Sequence, residues 1–264
     1  MSARRSFLHD RGFSNLVLLL GVASFIAWLG SRDRPAGDRD DRDADDVESI
    51  ANALKPHDTA AAPRDGIAAL LLIDASGSMA ESIRTQAGSR PKIEVARDAA
   101  LVLVRRFDEY AKAHPDESVV VGVMEFSERE PSNVRALLPL VAPDPERARL
   151  HLQRIETGGG TPIGDAIVAG KHGLDLSGMS RRHLIVVTDG ENTDGYEPED
   201  VLKALTRRPE SERPSVYFVA FDIAASRFDA VRDAGGLVLS AANGDELDST
   251  LNSLLSGKIL VEGP

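Results

Sequence analysis

The stretch that decides the fold is 67–79, IAALLLIDASGSM, in which seven apolar residues run without interruption into an acid and two serines. Uninterrupted hydrophobicity of this length is typical of a strand that is covered on both faces, as in parallel sheets. Similar runs recur along the chain at 119–126, 184–188, 216–221 and 236–240. We therefore expect a mostly parallel sheet. A weaker run at 135–141 belongs at its edge, because Pro139 cannot donate a main-chain hydrogen bond.

The segments between these runs have helical periodicity. From 92 to 111 the apolar residues recur three and four positions apart, and Pro162 begins another such segment, which runs to 174. Further helices are expected near 198–206, 226–234 and 245–255. Strands that alternate with helices indicate an α/β fold, here a doubly wound, Rossmann-like, mostly parallel sheet with helices on both faces.

Acidic and hydroxyl side chains follow two of the predicted strands. Asp74, Ser76 and Ser78 follow the first strand, and Asp189 follows the strand at 184–188. Thr161 ends a run of three glycines, just before a predicted helix. Open α/β sheets bind ligands at the carboxyl ends of their strands, so we expect these side chains to lie at one end of the sheet.

The donor set at that end consists of oxygen atoms. Such ligands suit a hard divalent cation, most of all Mg²⁺, with Mn²⁺ and Ca²⁺ as alternatives, and they do not suit zinc or copper. Neutral hydroxyls leave part of the charge of such an ion uncompensated, so the ion retains affinity for a carboxylate from outside. The polar stretch between Met79 and Lys92 is predicted to be a loop on the same face.

The ordered set of D-x-S-x-S after a strand, G-G-T-P before a helix and T-D-G at the end of another strand resembles the von Willebrand factor type A (VWA) domain. In that family these positions form the metal-ion-dependent adhesion site (MIDAS). The resemblance implies that Ser76, Ser78 and Thr161 bind the ion directly and that Asp74 and Asp189 act through bound water. It also implies that a protein partner's Asp or Glu carboxylate completes the coordination, and that the first strand and the strand before Asp189 are neighbours.

The N-terminal region differs from the rest of the chain. Residues 12–31, GFSNLVLLLGVASFIAWLGS, carry no charge and are long enough to cross a bilayer as a helix. We interpret them as an uncleaved signal anchor rather than a cleaved signal peptide. They follow a basic tail at 1–11 and precede an acidic, disordered linker at 32–65, with one short helix at 47–54. This indicates a single-pass protein of a bacterial inner membrane, with its domain outside the cytoplasm.

The VWA domain is expected at 66–256, followed by a tail at 257–264. A net charge of −11, with no segment that forms a basic surface of the kind that neutralises phosphates, argues against a nucleic-acid partner. The absence of cysteine excludes disulfides, thiolate catalysis and zinc–sulfur sites. We expect a membrane-tethered, metal-dependent protein-binding module that is not an enzyme. Two alternatives stay open: a metal-assisted hydrolase or phosphotransferase that uses Asp74, and a structural subunit with a vestigial metal site.

Overall fold

The computed structural model describes residues 47–56, 64–86 and 88–261, and its centre is a six-stranded sheet in the order β5-β4-β1-β6-β7-β8. The strands are β1 (Arg64–Asp74), β2 (Ser82–Thr85), β3 (Gly88–Pro91), β4 (Val119–Phe126), β5 (Val134–Val141), β6 (Met179–Thr188), β7 (Ser215–Phe221) and β8 (Leu237–Ala241). All neighbours in this sheet are parallel except β4 and β5. The predicted parallel sheet is confirmed, and so is the edge position of the strand that contains Pro139.

The chain order creates a crevice at the middle of the sheet. From β1 the chain proceeds outward through β4 and β5, and it then returns to β6 on the other side of β1. Ile73 of β1 pairs with Val187 of β6, so the two strands end side by side. Asp74, the last residue of β1, and Asp189, which directly follows β6, therefore lie at the switch point where sheets of this type bind ligands.

Two helix layers cover the sheet. The helices are α1 (47–53), α2 (Lys92–Ala113), α3 (Pro145–Leu152), α4 (Ile163–Ser177), α5 (Pro198–Thr206), α6 (Asp229–Asp233) and α7 (Gly244–Leu254). Helices α2, α3 and α7 share one hydrophobic core with the sheet, and α1, α4, α5 and α6 share the other. On β1, Leu71 faces the first core and its neighbours Leu70 and Leu72 face the second. This two-sided burial explains why β1 is apolar without alternation.

Two short elements were not predicted. The polar stretch after Met79 forms the antiparallel hairpin of β2 and β3 instead of a loop. Of the hairpin residues that the structure describes, only Ile83 is buried, so the sequence of the hairpin has no alternating apolar pattern. Helix α3 buries only Ala148 and Leu152, and it is capped at its start by the Asp144 side chain, which accepts a hydrogen bond from the main-chain nitrogen of Arg147.

Helix α1 packs against α4. Ile50 and Leu54 are buried in the core below α4. The ammonium of Lys171 donates a hydrogen bond to the carbonyl of Leu54 at 2.8 Å, and the ring of His172 contacts the preceding carbonyl. These two side chains of α4 satisfy carbonyls that the end of a short helix otherwise leaves without partners.

Two predicted boundaries change as a result. The whole of 32–65 was expected to be a disordered linker, but residues 47–56 pack against the domain. The short helix predicted within that segment is confirmed. The tail predicted for 257–264 is folded as far as Ile259, which is fully buried. The predicted transmembrane segment at 12–31 lies outside the described residues. Within the part that the structure describes, no helix is both long and apolar enough to cross a bilayer.

Candidate metal centre

Asp74 is the last residue of β1 and is fully buried. Its Oδ1 accepts a hydrogen bond from the main-chain nitrogen of Ser76 at 2.7 Å, and its Oδ2 accepts one from the hydroxyl of Thr188 at 2.6 Å. Burial raises the pKa of Asp74 to about 6, although the hydrogen bonds from Thr188 and Ser76 oppose that rise. Because both oxygens already accept hydrogen bonds from the protein, the carboxylate suits contact with a cation through water.

The two serines of D-x-S-x-S lie between the acids. The hydroxyl oxygens of Ser76 and Ser78 are 3.1 Å apart, and Ser78 donates a hydrogen bond to Oδ1 of Asp189 at 2.7 Å. A hydroxyl whose proton goes to Asp189 keeps its lone pairs for a cation. The serines and the acid after β6 therefore form one connected group of oxygen atoms.

The glycine-rich loop before α4 lies along the loop that follows β1. Gly158 donates a main-chain hydrogen bond to Ala75 at 2.8 Å, and Gly77 donates one to Gly159 at 3.0 Å. Gly159 has a φ of +75°, and a Cβ at this position would collide with the carbonyl of Glu128. Only glycine combines this conformation with so close an approach. The glycines therefore bring Thr161 to the β1 loop.

Thr161 is held by the loop that follows Asp189. Its main-chain nitrogen donates to the Thr193 hydroxyl at 2.7 Å, and its carbonyl accepts from the Thr193 nitrogen at 3.1 Å. A Cβ built on Gly190 would lie 3.5 Å from the Thr161 hydroxyl oxygen and 3.9 Å from that of Ser78. The two hydroxyls therefore border the space that Gly190 leaves open.

Four of the five residues predicted for the site are linked by hydrogen bonds, and the hydroxyl of the fifth, Thr161, borders the space at Gly190 together with Ser78. The five residues are Asp74, Ser76, Ser78, Thr161 and Asp189. Three hydroxyls and two carboxylates make a donor set of oxygen atoms, which fits Mg²⁺, Mn²⁺ or Ca²⁺. Among the described residues, no three or more His, Cys, Asp or Glu side chains are grouped so that they could hold a metal ion, so a cation at this site would depend on the hydroxyl oxygens. The geometry fits the predicted metal centre, and the role of each residue as a ligand stays a prediction.

One residue in contact with the site was not predicted from the sequence. Lys92, the first residue of α2, places its buried ammonium 2.9 Å from Oδ2 of Asp189, 3.0 Å from Oδ2 of Asp222 and 3.3 Å from Oε2 of Glu81. Burial alone would lower the pKa of Lys92, but the hydrogen bonds with Asp189 and Asp222 outweigh it and raise that pKa above its usual range. No sequence pattern distinguishes Lys92 from an ordinary surface lysine.

The fold and the site define a class of protein: α/β domains with a cluster of acids and hydroxyls at the switch point of the sheet. The family profile of the von Willebrand factor type A domain matches residues 70–246, which is more than half of the chain, and the chain belongs to that family. Domains of this family generally mediate protein–protein interactions. No curated protein matches the chain.

Solved structures share the fold at low sequence identity. A von Willebrand factor type A protein from Catenulispora acidiphila is 19% identical with a TM-score of 0.55, over 72% of this chain and 42% of its own. An aerotolerance-related membrane protein from Bacteroides fragilis is 18% identical with a TM-score of 0.53, over 73% of this chain and 100% of its own. Proximal thread matrix protein 1 from the mussel byssus, with zinc in its MIDAS motif, is 18% identical with a TM-score of 0.54, over 74% of this chain and 48% of its own. The chain thus spans less than half of the first of these proteins.

Proposed function

We propose that this domain is a divalent-cation-dependent protein-binding module. The observation that carries the proposal is the hydrogen-bonded group of Ser76, Ser78 and Asp189, together with the Thr161 hydroxyl, which borders the space beside Gly190 as the Ser78 hydroxyl does. The zinc-occupied MIDAS of the mussel protein supports cation binding in this fold by analogy, and it does not bear on the preference for Mg²⁺.

Each residue has a distinct task in this proposal. The three hydroxyl oxygens would bind the cation directly, and Asp189 accepts the hydrogen bond of the Ser78 hydroxyl, which leaves the lone pairs of that hydroxyl for the ion. The carboxylate of Asp74 fixes the loop after β1 by accepting the hydrogen bond from the main-chain nitrogen of Ser76. It also contributes negative charge from the buried side of the site. When bound, the ion supplies an open coordination position for a carboxylate. The partner is therefore a protein that presents Asp or Glu, and Mg²⁺ is the preferred ion.

An enzymatic role has less support. Members of this family are mostly non-enzymatic. The hydrogen bonds of Asp74 come from Ser76 and Thr188, not from a histidine. Of the buried histidines, His183 lies near the start of β6 and His172 contacts α1, so neither is beside Asp74. A hydrolase or phosphotransferase needs a general acid or base beside its reacting group.

Cation binding is tested with the purified full-length protein and Mn²⁺, whose free concentration is followed by electron paramagnetic resonance. We expect one saturable site that Mg²⁺ competes for. Thr161→Val removes a hydroxyl but keeps the shape of the side chain, and it should weaken binding at least about 10-fold without changing the circular dichroism spectrum. Equal Mn²⁺ affinity in both proteins would contradict the proposal.

We also propose that residues 12–31 tether the domain to a membrane, with the domain on the outer side of a bacterial inner membrane. Their length and lack of charge support this. Membrane fractionation and N-terminal sequencing of the mature protein test it. Recovery of a soluble form that begins after about residue 24 would instead indicate a cleaved signal peptide. Protease digestion of intact cells then reports the side on which the domain lies.

A further inference from the structure

A buried cation lies directly behind the proposed metal site and has no task in the function described above. The Lys92 side chain is 6% exposed, and its ammonium contacts the carboxylates of Asp189, Asp222 and Glu81. Of these, the Asp189 side chain is fully buried and the other two are 40% and 70% exposed. The buried contact is therefore the one with the proposed metal centre.

The position of this charge is unfavourable on its own. Lys92 is the first residue of a 22-residue helix, where the helix dipole repels positive charge. Burial of an ammonium adds a desolvation penalty. The three carboxylates compensate for both effects. Helix α2 does not require a lysine here, so the role of Lys92 has to be sought in what it does to Asp189.

Asp189 is held from two sides. Its Oδ1 accepts the hydrogen bond of Ser78, and its Oδ2 contacts the ammonium of Lys92. The carboxylate therefore cannot turn its second oxygen toward the space beside Gly190 without losing the contact with Lys92. The ammonium also compensates negative charge that would otherwise attract a cation.

Asp222 is placed to hold Lys92. It directly follows β7, and its φ of 56° lies in the left-handed region, which Asp and Asn tolerate better than most residues. Its main-chain nitrogen donates to the carbonyl of Ala241 at 2.8 Å, which fixes this turn. Asp222 and Asp189 thus bind the same ammonium from the ends of two neighbouring strands.

We propose that Lys92 is a positioning and charge-balancing residue of the cation site: it restrains Asp189 and weakens cation binding, so that the bound ion stays open to a partner's carboxylate. The proposal rests on the proposed function. Two unit charges about 6–12 Å apart at an effective dielectric constant of about 20 interact strongly enough to change a binding constant about 10- to 100-fold. The loss of the Lys92 charge should therefore strengthen cation binding.

The test measures the Mn²⁺ Kd of the full-length protein and of three variants. Lys92→Met should bind Mn²⁺ about 10- to 100-fold more tightly than the wild type. Lys203→Met, which removes an exposed lysine of α5 that pairs with Asp200, is the matched control and should leave Kd unchanged. Asp222→Asn keeps a residue that tolerates the left-handed conformation but removes a negative charge, so it should weaken Mn²⁺ binding about 3- to 10-fold.

A second measurement follows the carboxylate. Acetate displaces water from protein-bound Mn²⁺ and lowers the water-proton relaxation rate, and it should do so at lower concentration in the wild type than in Lys92→Met. Equal Mn²⁺ Kd values for Lys92→Met and Lys203→Met would overturn the role of Lys92. If Lys92→Met does not fold, an unchanged Kd in Asp222→Asn overturns it. A wild-type protein without saturable Mn²⁺ binding would instead contradict the proposed function itself.

Discussion

The hydroxyl of Thr188 donates a hydrogen bond to Oδ2 of Asp74 at 2.6 Å, across the ends of the neighbouring strands β6 and β1. Both side chains are fully buried. The same hydroxyl contacts the main-chain nitrogen and oxygen of Gly190, at 3.2 and 3.1 Å. Thr188 therefore joins the two loops that carry the acids of the candidate site.

Replacement of this hydroxyl should destabilise the domain. Thr188→Val keeps the shape of the side chain but leaves a buried oxygen of Asp74 without a donor, which should lower the free energy of unfolding by about 1–3 kcal/mol. The measurement is urea denaturation in the presence of chelator, followed by circular dichroism. Thr188→Ser keeps the hydroxyl and is the control; equal losses in both variants would mean that the methyl group and not the hydrogen bond matters.

Gly190→Ala should block cation binding without unfolding the protein. The added Cβ meets the hydroxyls of Thr161 and Ser78 at 3.5 and 3.9 Å, which are ordinary contacts, so we expect metal-free stability to change by less than about 1 kcal/mol. The methyl group then occupies the space between these hydroxyls, and the Mn²⁺ Kd should rise at least about 10-fold. Gly257→Ala, where a Cβ meets open space, is the control. Unchanged Mn²⁺ affinity in Gly190→Ala would show that the cation lies elsewhere.

The stability of the domain should fall at mildly acidic pH because of His183. This residue is fully buried, and its Nδ1 lies 3.3 Å from the Tyr217 hydroxyl. Burial lowers the pKa of His183 to about 4 from its ordinary 6.5, and the charge of Arg181 adds to the effect. The unfolded chain therefore binds a proton between these values while the folded chain does not. The contribution of His183 to the free energy of unfolding is complete above pH 6.5 and is lost as the pH falls to 4. It amounts to about 3 kcal/mol in total.

Urea denaturation of the wild type and of His183→Gln at pH 7 and pH 4.5 isolates this contribution. Other titrating groups act equally in both proteins, so the wild type should lose about 2 kcal/mol more than the variant between the two pH values. Parallel losses would show that His183 takes up its proton in the folded protein.

Lys171→Met should loosen helix α1. Lys171 is fully buried, pairs with Asp175 and donates to the carbonyl of Leu54 at 2.8 Å. Removal of one partner of a buried ion pair costs about 3–5 kcal/mol, and we expect the free energy of unfolding to fall by about 3 kcal/mol. Lys112→Met is the matched control, because Lys112 pairs with Asp108 at the same helical spacing but is 74% exposed. That variant should change stability by less than about 0.5 kcal/mol, and a similar loss in both would argue against the docking role.

The sequence predicted those features whose cause is local. Strand β1 and its parallel neighbours were evident because burial on both faces requires continuous apolar runs, as around Leu71. Asp74, Ser76, Ser78 and Asp189 were evident because they lie at the ends of those strands, and Thr161 was evident because it follows three glycines and precedes a helix. The hairpin of β2 and β3 was not, since Ile83 alone is buried there.

Features that depend on distant partners escaped prediction. Lys92 gains its importance from Asp189, 97 positions away, and from Asp222 on another loop. The docking of α1 depends in the same way on Lys171, 117 positions from Leu54. The composition of the segment around Leu54 is typical of a solvated linker. Its burial could not be predicted locally, because the side chains that cover Leu54 belong to another part of the chain.

The direction of α1 has a mechanical consequence. The hydroxyls of Ser49 and Tyr196 are 2.8 Å apart, and Tyr196 donates a main-chain hydrogen bond to Asp165 in the first turn of α4. Leu54 contacts Lys171 farther along α4. Helix α1 therefore runs along α4 in the same direction, and it begins near the end of α4 that lies beside Thr161. In the proposed tethered arrangement, tension that enters the domain before residue 47 reaches α1 first, at its Ser49 end beside the start of α4. Such tension loads the contacts between α1 and α4 before it reaches β1, which follows α1 along the chain.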